Sequence, residues 1–233
     1  MFKKYWKFFV IFWSVVLVGI IGVFVFFWLI SAGKLGFMPT FEELENPNNR
    51  FASEVYFADG PIMNRYFEKE NRKYIEYREI PQSVIDALIA TEDVRFYDHS
   101  GVDVRGLFRV AKGLLTANTS AGGGSTISQQ LAKMLFPRES DLNVFELAIR
   151  KFREWVIAVR LEKSYTKEEI LTMYLNKYDF LNLAVGISSA ADIYFQVPLD
   201  SLKVEQAAML IGMAKNSSYY NPVRRPELTL NRR

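Results

Sequence analysis

The first 40 residues carry the strongest pattern in the chain. Phe8 to Ile30 is a run of 23 residues without a charge, and Ser14 is its only hydroxyl. As a helix it spans ~34 Å, against about 30 Å of bilayer hydrocarbon. No polar face interrupts it, so a buried core helix is the poorer reading. Lys3, Lys4 and Lys7 precede the run and only Lys34 follows closely. That asymmetry predicts a cytoplasmic tail over residues 1–7, a transmembrane anchor over 8–30, and everything after Ser31 outside. The run is longer than a signal-peptide core and lacks a clean small-x-small ending, which favours an uncleaved anchor. Trp13 and Trp28 suit an interfacial belt.

Residues 31–50 read as a stalk, broken by Gly33, Gly36, Pro39 and Pro47. Residues 51–80 read as a hairpin and linker: Ser53 to Phe57 alternates, and Asp59-Gly60 turns the chain toward Ile62 to Phe67, with Pro61 altering the turn. From Pro81 onward the periods are helical. Val84, Ile85, Leu88 and Ile89 form an apolar stripe with Ser83 as an N-cap candidate. Were that helix to continue, Glu92, Phe96 and His99 would share a face. A carboxylate beside an aromatic ring is partly desolvated, which suits general-base work. Val104, Leu107, Phe108, Ala111 and Leu114 make a second stripe, flanked by Arg105, Arg109 and Lys112. Such a basic amphipathic helix rests either on a bilayer surface or on a core with its basic side in water. Asp141 is a cap candidate for a long helix to Glu162 whose apolar face runs Leu142, Phe145, Ile149, Phe152, Val156, Val159. Thr166 to Glu169 is a capping box for the helix after it.

Composition narrows the chemistry. The chain has 233 residues, a net charge of +3, no cysteine and one histidine. Disulfides and thiolate metal sites are excluded, a histidine-built zinc site is disfavoured, and the charge is too small to argue for nucleic acid. Candidate site residues fall in three stretches. Glu92 and Asp93 lie beside the lone histidine, His99. A glycine loop, Ala121 to Gly124, leads through Ser125 or Thr126 as cap into a helix carrying Thr126, Gln129, Gln130 and Lys133 on a polar side, an arrangement that binds anions. It is neither a Walker loop nor a nucleophile elbow. Glu146, Arg150 and Glu154 recur at helical spacing, as a surface ladder or as a site carboxylate oriented by Arg150.

Together these stretches resemble the signatures of the family 51 glycosyltransferases, the peptidoglycan glycosyltransferase domain of class A penicillin-binding proteins. The residues are Glu92-Asp93-x-x-Phe96-x-x-His99-x-Gly101, then Gly124-Ser125-Thr126-Ile127-x-Gln129-Gln130-Leu131-x-Lys133, Arg150-Lys151-x-x-Glu154, Ile170-Leu171-x-x-Tyr174-Leu175-Asn176 with Gly186, and Glu205-x-Ala207-Ala208 ending in Tyr220-Asn221-Pro222. The resemblance runs over roughly residues 50–222. Met134, Leu181 and Val185 depart from it, as does a longer spacing between Lys133 and Arg150.

The resemblance implies a mainly α, lysozyme-like helical glycosyltransferase domain over residues 81–222. It implies polymerisation of lipid II into β-1,4 glycan strands by an inverting route, with Glu92 as general base and Glu154 as second catalytic acid. Asp93, Phe96, His99, Ser125, Thr126, Gln129, Gln130, Lys133, Arg150 and Asn176 are the implied substrate-contacting or orienting residues. A Mg²⁺ or Mn²⁺ ion at the pyrophosphate is implied, with Glu154 as its ligand. The implied partners are lipid II, the nascent glycan, the membrane, and other cell-wall synthesis or division proteins, in a bacterial plasma membrane with the domain outside. Two rival readings remain: a lytic enzyme on a lysozyme-like fold, and a non-enzymatic cell-wall scaffold. No transpeptidase Lys-Thr-Gly is present, and Ser164-Tyr165-Thr166-Lys167 matches only in spacing. Residues 223–233 read as the start of a connecting segment of a longer chain, with a single-activity enzyme as the alternative.

Overall fold

The computed structural model describes residues 2–40, 43, 53–56, 62–66, 71–116, 123–136 and 142–232. The Asp59-Gly60-Pro61 turn, stalk positions 41–42 and 44–50, Ala121, Gly122 and Asp141 lie outside the described residues. The described part is mainly helical. Helix α1 is Phe2–Ser31, and its segment Tyr5–Ser31 is long and apolar enough to cross a membrane. Strands β1 (Ser53–Tyr56) and β2 (Ile62–Tyr66) pair antiparallel, with a register shift at Val55/Tyr56. Strand β3 (Asn71–Arg72) pairs in parallel with β4 (Ala184–Val185), which the sequence did not announce.

The helical body follows as α2 (Gln82–Glu92), α3 (Val104–Leu115), α4 (Ile127–Leu135), α5 (Val144–Ser164), α6 (Lys167–Lys177), α7 (Ile187–Phe195), α8 (Val204–Ala214) and α9 (Pro226–Arg232). Leu88 of α2, Leu131 of α4, Leu161 of α5, Tyr174 of α6 and Leu210 of α8 meet in one core with Phe96 and Phe180. Burying each such side chain contributes about 1.5–3 kcal/mol.

Several expectations are corrected. Pro81, not Ser83, occupies the N-cap of α2. That helix stops at Glu92, because Asp93 leaves helical geometry (φ −156°, ψ 73°). Phe96–Asp98 forms a separate 3₁₀ turn, so Glu92, Phe96 and His99 do not share a helix face. Asn143 caps α5, in a capping box with Glu146. The buried face of α5 is Arg153, Glu154, Ile157, Ala158 and Leu161, while Phe145 is 71% exposed. The Phe152 ring instead packs edge-on against Phe26 and Phe27 of α1. The apolar stripe of α5 therefore faces α1 at Phe152 and the outside at Phe145.

The same shift explains α3. Val104, Phe108 and Leu115 are exposed, Phe108 at 72%, so its apolar side does not serve the core. In the fourth motif the departure at Leu181 falls where backbone handedness matters. Leu181, Asn182 and Leu183 all have φ between 52° and 67°, a region that costs side-chain-bearing residues about 1 kcal/mol each.

Arg160 ties the body to the end of α1. Its guanidinium donates to the Ser31 carbonyl and hydroxyl at 2.8 Å and to the Pro39 carbonyl at 3.0 Å. Arg160→Ala is expected to cost about 2 kcal/mol, since the bonds from a charged donor to Ser31 and Pro39 are lost together. Thermal unfolding in detergent, with proteolysis of segment 32–40 as a second readout, checks this. Unchanged melting and cleavage would mean the clamp contributes nothing.

Candidate active site

Glu92 ends α2 where two hollows meet. The larger, of about 580 Å³, is walled by Thr91, Glu92, Ser125, Gln130, Lys133, Met134, Tyr178, Lys215 and Arg232. The other, of about 330 Å³, runs past Glu92 to Arg95, Asp103, Arg109 and the Gly123–Thr126 loop. Glu92 Oε2 accepts a 3.0 Å hydrogen bond from Gln130 Nε2, and Oε1 lies 3.9 Å from an Arg232 guanidinium nitrogen.

Asp93, the next residue, points away from both partners of Glu92. It is buried, and its carboxylate accepts from the Ile127 N–H at 3.0 Å, at the start of α4. An anion suits a helix N-terminus. The same carboxylate meets His99 Nε2 at 2.9 Å, while His99 Nδ1 accepts from the Gly101 N–H at 3.2 Å. A backbone amide can only donate, so Nδ1 is bare and Nε2 carries the proton toward Asp93. Gly101 has φ +94° and lies so close to the Ala158 backbone of α5 that a Cβ would meet it at 2.8 Å. Asp93, His99 and Gly101 thus pin the Glu92 turn between α4 and α5.

Helix α4 forms the opposite wall. Thr126 caps it, accepting from the Gln129 N–H, and its hydroxyl donates to the Gly101 carbonyl at 2.7 Å. Gln129 is fully buried and donates to the same carbonyl. Gln130, Lys133 and Met134 are the α4 residues that line the large hollow. Behind that wall lies Glu154, 7% exposed. Lys151 Nζ stands 2.9 Å from Glu154 Oε2 and 2.9 Å from the Ser125 hydroxyl, and Lys133 Nζ lies 3.9 Å from the same Oε2.

Other expected site residues serve the scaffold. Phe96 is buried in the core under the Lys167 ammonium, 4.3 Å from its ring centre, so it does not contact the hollow. Asn176 is buried and clamps the Ile75 backbone, accepting at 3.0 Å and donating at 2.9 Å. Gln129 is likewise turned inward. Lys151, one residue after Arg150, meets Glu154 at i,i+3. Lys151, Tyr178, Lys215 and Arg232 were not anticipated. Lys151 stands in the third motif and could have been found by its spacing from Glu154. Arg232 arrives from the last described helix, and no local pattern marks it.

Two electrostatic features are resolved here. Burial would push the Asp103 carboxyl up, but hydrogen bonds from Arg95 and the Gly106 N–H hold it below the ordinary carboxylate value. Burial, aided by the nearby Glu92 charge, pushes the Tyr178 hydroxyl up to about 12. That hydroxyl donates to the Met213 and Ala214 carbonyls at 3.0 and 2.7 Å, closing the end of α8. An acid whose folded pKa exceeds its unfolded value of ~10 stabilises the fold fully below pH ~10. That contribution is lost as pH rises toward about 12. Tyr178→Phe is expected to lower stability by about 1 kcal/mol at neutral pH and to flatten part of the alkaline fall. Denaturant unfolding from pH 8 to 12 reads both; parallel curves for the two proteins would contradict the assignment.

The sequence is similar to known proteins. The family model for transglycosylases matches residues 59–233. Penicillin-binding protein 1A of Pseudomonas aeruginosa is 37% identical over 196 residues, covering 84% of this chain and 23% of the relative. Penicillin-binding protein 1A of Escherichia coli K12 is 37% identical over 186 residues, covering 80% and 21%. That of Neisseria lactamica is 37% identical over 190 residues, covering 82% and 23%. The chain spans less than a quarter of the length of these curated relatives.

Proposed function

We propose, from the premise that this chain belongs to the transglycosylase family, that it is a membrane-anchored peptidoglycan glycosyltransferase polymerising lipid II. The observation that carries the reading is the facing of one carboxylate, Glu92, by a wall bearing Lys133, with Lys151 and Glu154 directly behind it. An acid and a cationic wall across one hollow are what transfer from a diphosphate-linked sugar needs.

In the proposed reaction Glu92 takes the proton from the 4-hydroxyl of the acceptor sugar as that oxygen bonds to C1 of the donor. The C1–phosphate oxygen bond breaks on the opposite face, so an α-linked donor gives a β-1,4 product without a covalent glycosyl-enzyme. The electron pair leaves with the lipid diphosphate. Lys133, fixed by Glu154 and flanked by Lys151, faces that growing charge as a preorganised group. Glu154 acts through the lysines rather than on the sugar.

A divalent cation belongs to the expectation, with Glu154 as its ligand. Glu154 Oε2 is already engaged by Lys151 and stands near Lys133, and among the described residues no group of three or more His, Asp or Glu gathers to hold a metal. These side chains do not fit an ion held by the protein alone. Mg²⁺ or Mn²⁺ here would be carried mainly by the substrate's phosphate oxygens.

The placement fits a lipid-borne donor. With helix α1 as anchor, the basic residues Lys3, Lys4 and Lys7 before it support an orientation with the domain outside the plasma membrane. The exposed apolar sides of α3 and early α5 (Val104, Phe108, Leu115, Val144, Phe145) suit contact with the bilayer. Purified protein in detergent with lipid II and Mn²⁺ tests the reading by sizing the glycan before and after muramidase. Polymer that muramidase cuts supports it. No polymer, with shortening of preformed glycan, would point to a lytic enzyme.

A further inference from the structure

Between Glu92 and the core runs a chain of three side chains, each holding the next. Tyr174 is fully buried in α6, and its hydroxyl donates to Gln130 Oε1 at 3.1 Å. That bond fixes which way the Gln130 amide is turned, so Nε2 faces Glu92 Oε2 at 3.0 Å. Oε2 is thereby occupied, while Oε1 lies 3.9 Å from Arg232, which lines the same hollow. The two oxygens of one carboxylate are thus made unequal.

We infer that Tyr174 is a positioning residue for the transfer step, acting through Gln130 to hold Glu92 with Oε1 as its proton-accepting atom. This rests on the reading of Glu92 as the base. Tyr174 itself carries no proton in the reaction. Burial, then the Glu92 charge and Tyr178, push its hydroxyl well above the usual tyrosine value, so it stays a donor throughout the working range. Gln130 cannot titrate, and its N–H meets Glu92 Oε2 directly. A tyrosine in the core therefore governs an acid on the surface of a hollow through a neutral amide.

The charged and titratable groups around Glu92 are Lys133 from α4, Tyr174 and Tyr178 at the end of α6, Lys215 after α8 and Arg232 from α9. Across the second hollow stand Arg95, Asp103 and Arg109. None of them is altered by a change at Gln130, and only Tyr174 itself by Tyr174→Phe. A fall in kcat that leaves KM in place therefore reports the relay.

The experiment measures kcat and KM for lipid II from pH 5 to 9 with the full chain in detergent, for the parent, Tyr174→Phe, Gln130→Met and the double variant. Glu92→Gln serves as the control for the underlying reading. Tyr174→Phe is expected to lose about tenfold in kcat with KM little changed, a loss of orientation rather than of binding. Gln130→Met should show the same loss in kcat with KM little changed, and the double variant should be no worse than Gln130→Met alone, because the tyrosine acts only through the amide. Additive losses, or a KM that rises in step with the fall in kcat, would show a merely structural tyrosine and overturn the inference, as would parental kinetics in Tyr174→Phe. Polymerisation by Glu92→Gln would instead overturn the reading of Glu92 as base.

Discussion

Glu92→Gln is expected to abolish glycan polymerisation, with kcat falling at least ~10²-fold while lipid II still binds. The substitution keeps the side-chain volume and leaves an oxygen that can accept from Gln130 Nε2, now 3.0 Å away. What it removes is the ability to take a proton. It also removes the anion 3.9 Å from Arg232, so a small gain in affinity for the diphosphate substrate is consistent with the argument. The measurement is initial-rate polymerisation of labelled lipid II beside its equilibrium binding. If the amide variant polymerises at the parent rate while substitution at Glu154 stops the reaction, the two acids have exchanged roles.

How much of this was legible in the sequence depends on how far apart the partners are. The apolar run of α1, the capping box at Thr166–Glu169 and the cap at Thr126 are local, and the structure places them as the residues suggested. The end of α2 was not legible. Asp93 leaves the helix to reach the Ile127 N–H, 34 positions on, and His99, and nothing within one turn signals those bonds. Asn176 is tied to Ile75 across 101 positions, which turned a motif residue expected at substrate into part of the frame. Phe96 and Gln129 tell the same story: a motif marks residues the site needs, including those that only shape it.

Helix α5 shows a different failure. Hydrophobic periodicity put Phe145 and Phe152 on one apolar face and left Glu154 open between a surface ladder and a site carboxylate, yet the face the body buries carries Arg153 and Glu154. The period was real, but its apolar side answers to α1 and to what lies beyond the protein, not to the core. A membrane-anchored domain has two apolar environments, and a stripe of side chains does not say which one it faces.

Glu154→Gln is the second large effect, and it separates charge balance from chemistry. Glu154 is the anion shared by Lys151 at 2.9 Å and Lys133 at 3.9 Å, with Lys151 also donating to Ser125. The neutral amide leaves two ammonium groups facing each other at the cavity wall. Both lysines are about one-third exposed, so solvent screens part of the cost, and a stability loss of about 1–2 kcal/mol is expected rather than the ~3–5 kcal/mol of a fully buried broken pair. Turnover should fall about 10²-fold, because the positive charge meeting the departing diphosphate is no longer held in place. Adding Lys151→Met to Glu154→Gln removes the repulsion and should return most of the stability. It should not return turnover, since the cation lost with Lys151 is one the leaving group needs. Recovery of both together would mean the triad serves folding alone. Recovery of neither would mean the loss at Glu154 is not one of unbalanced charge.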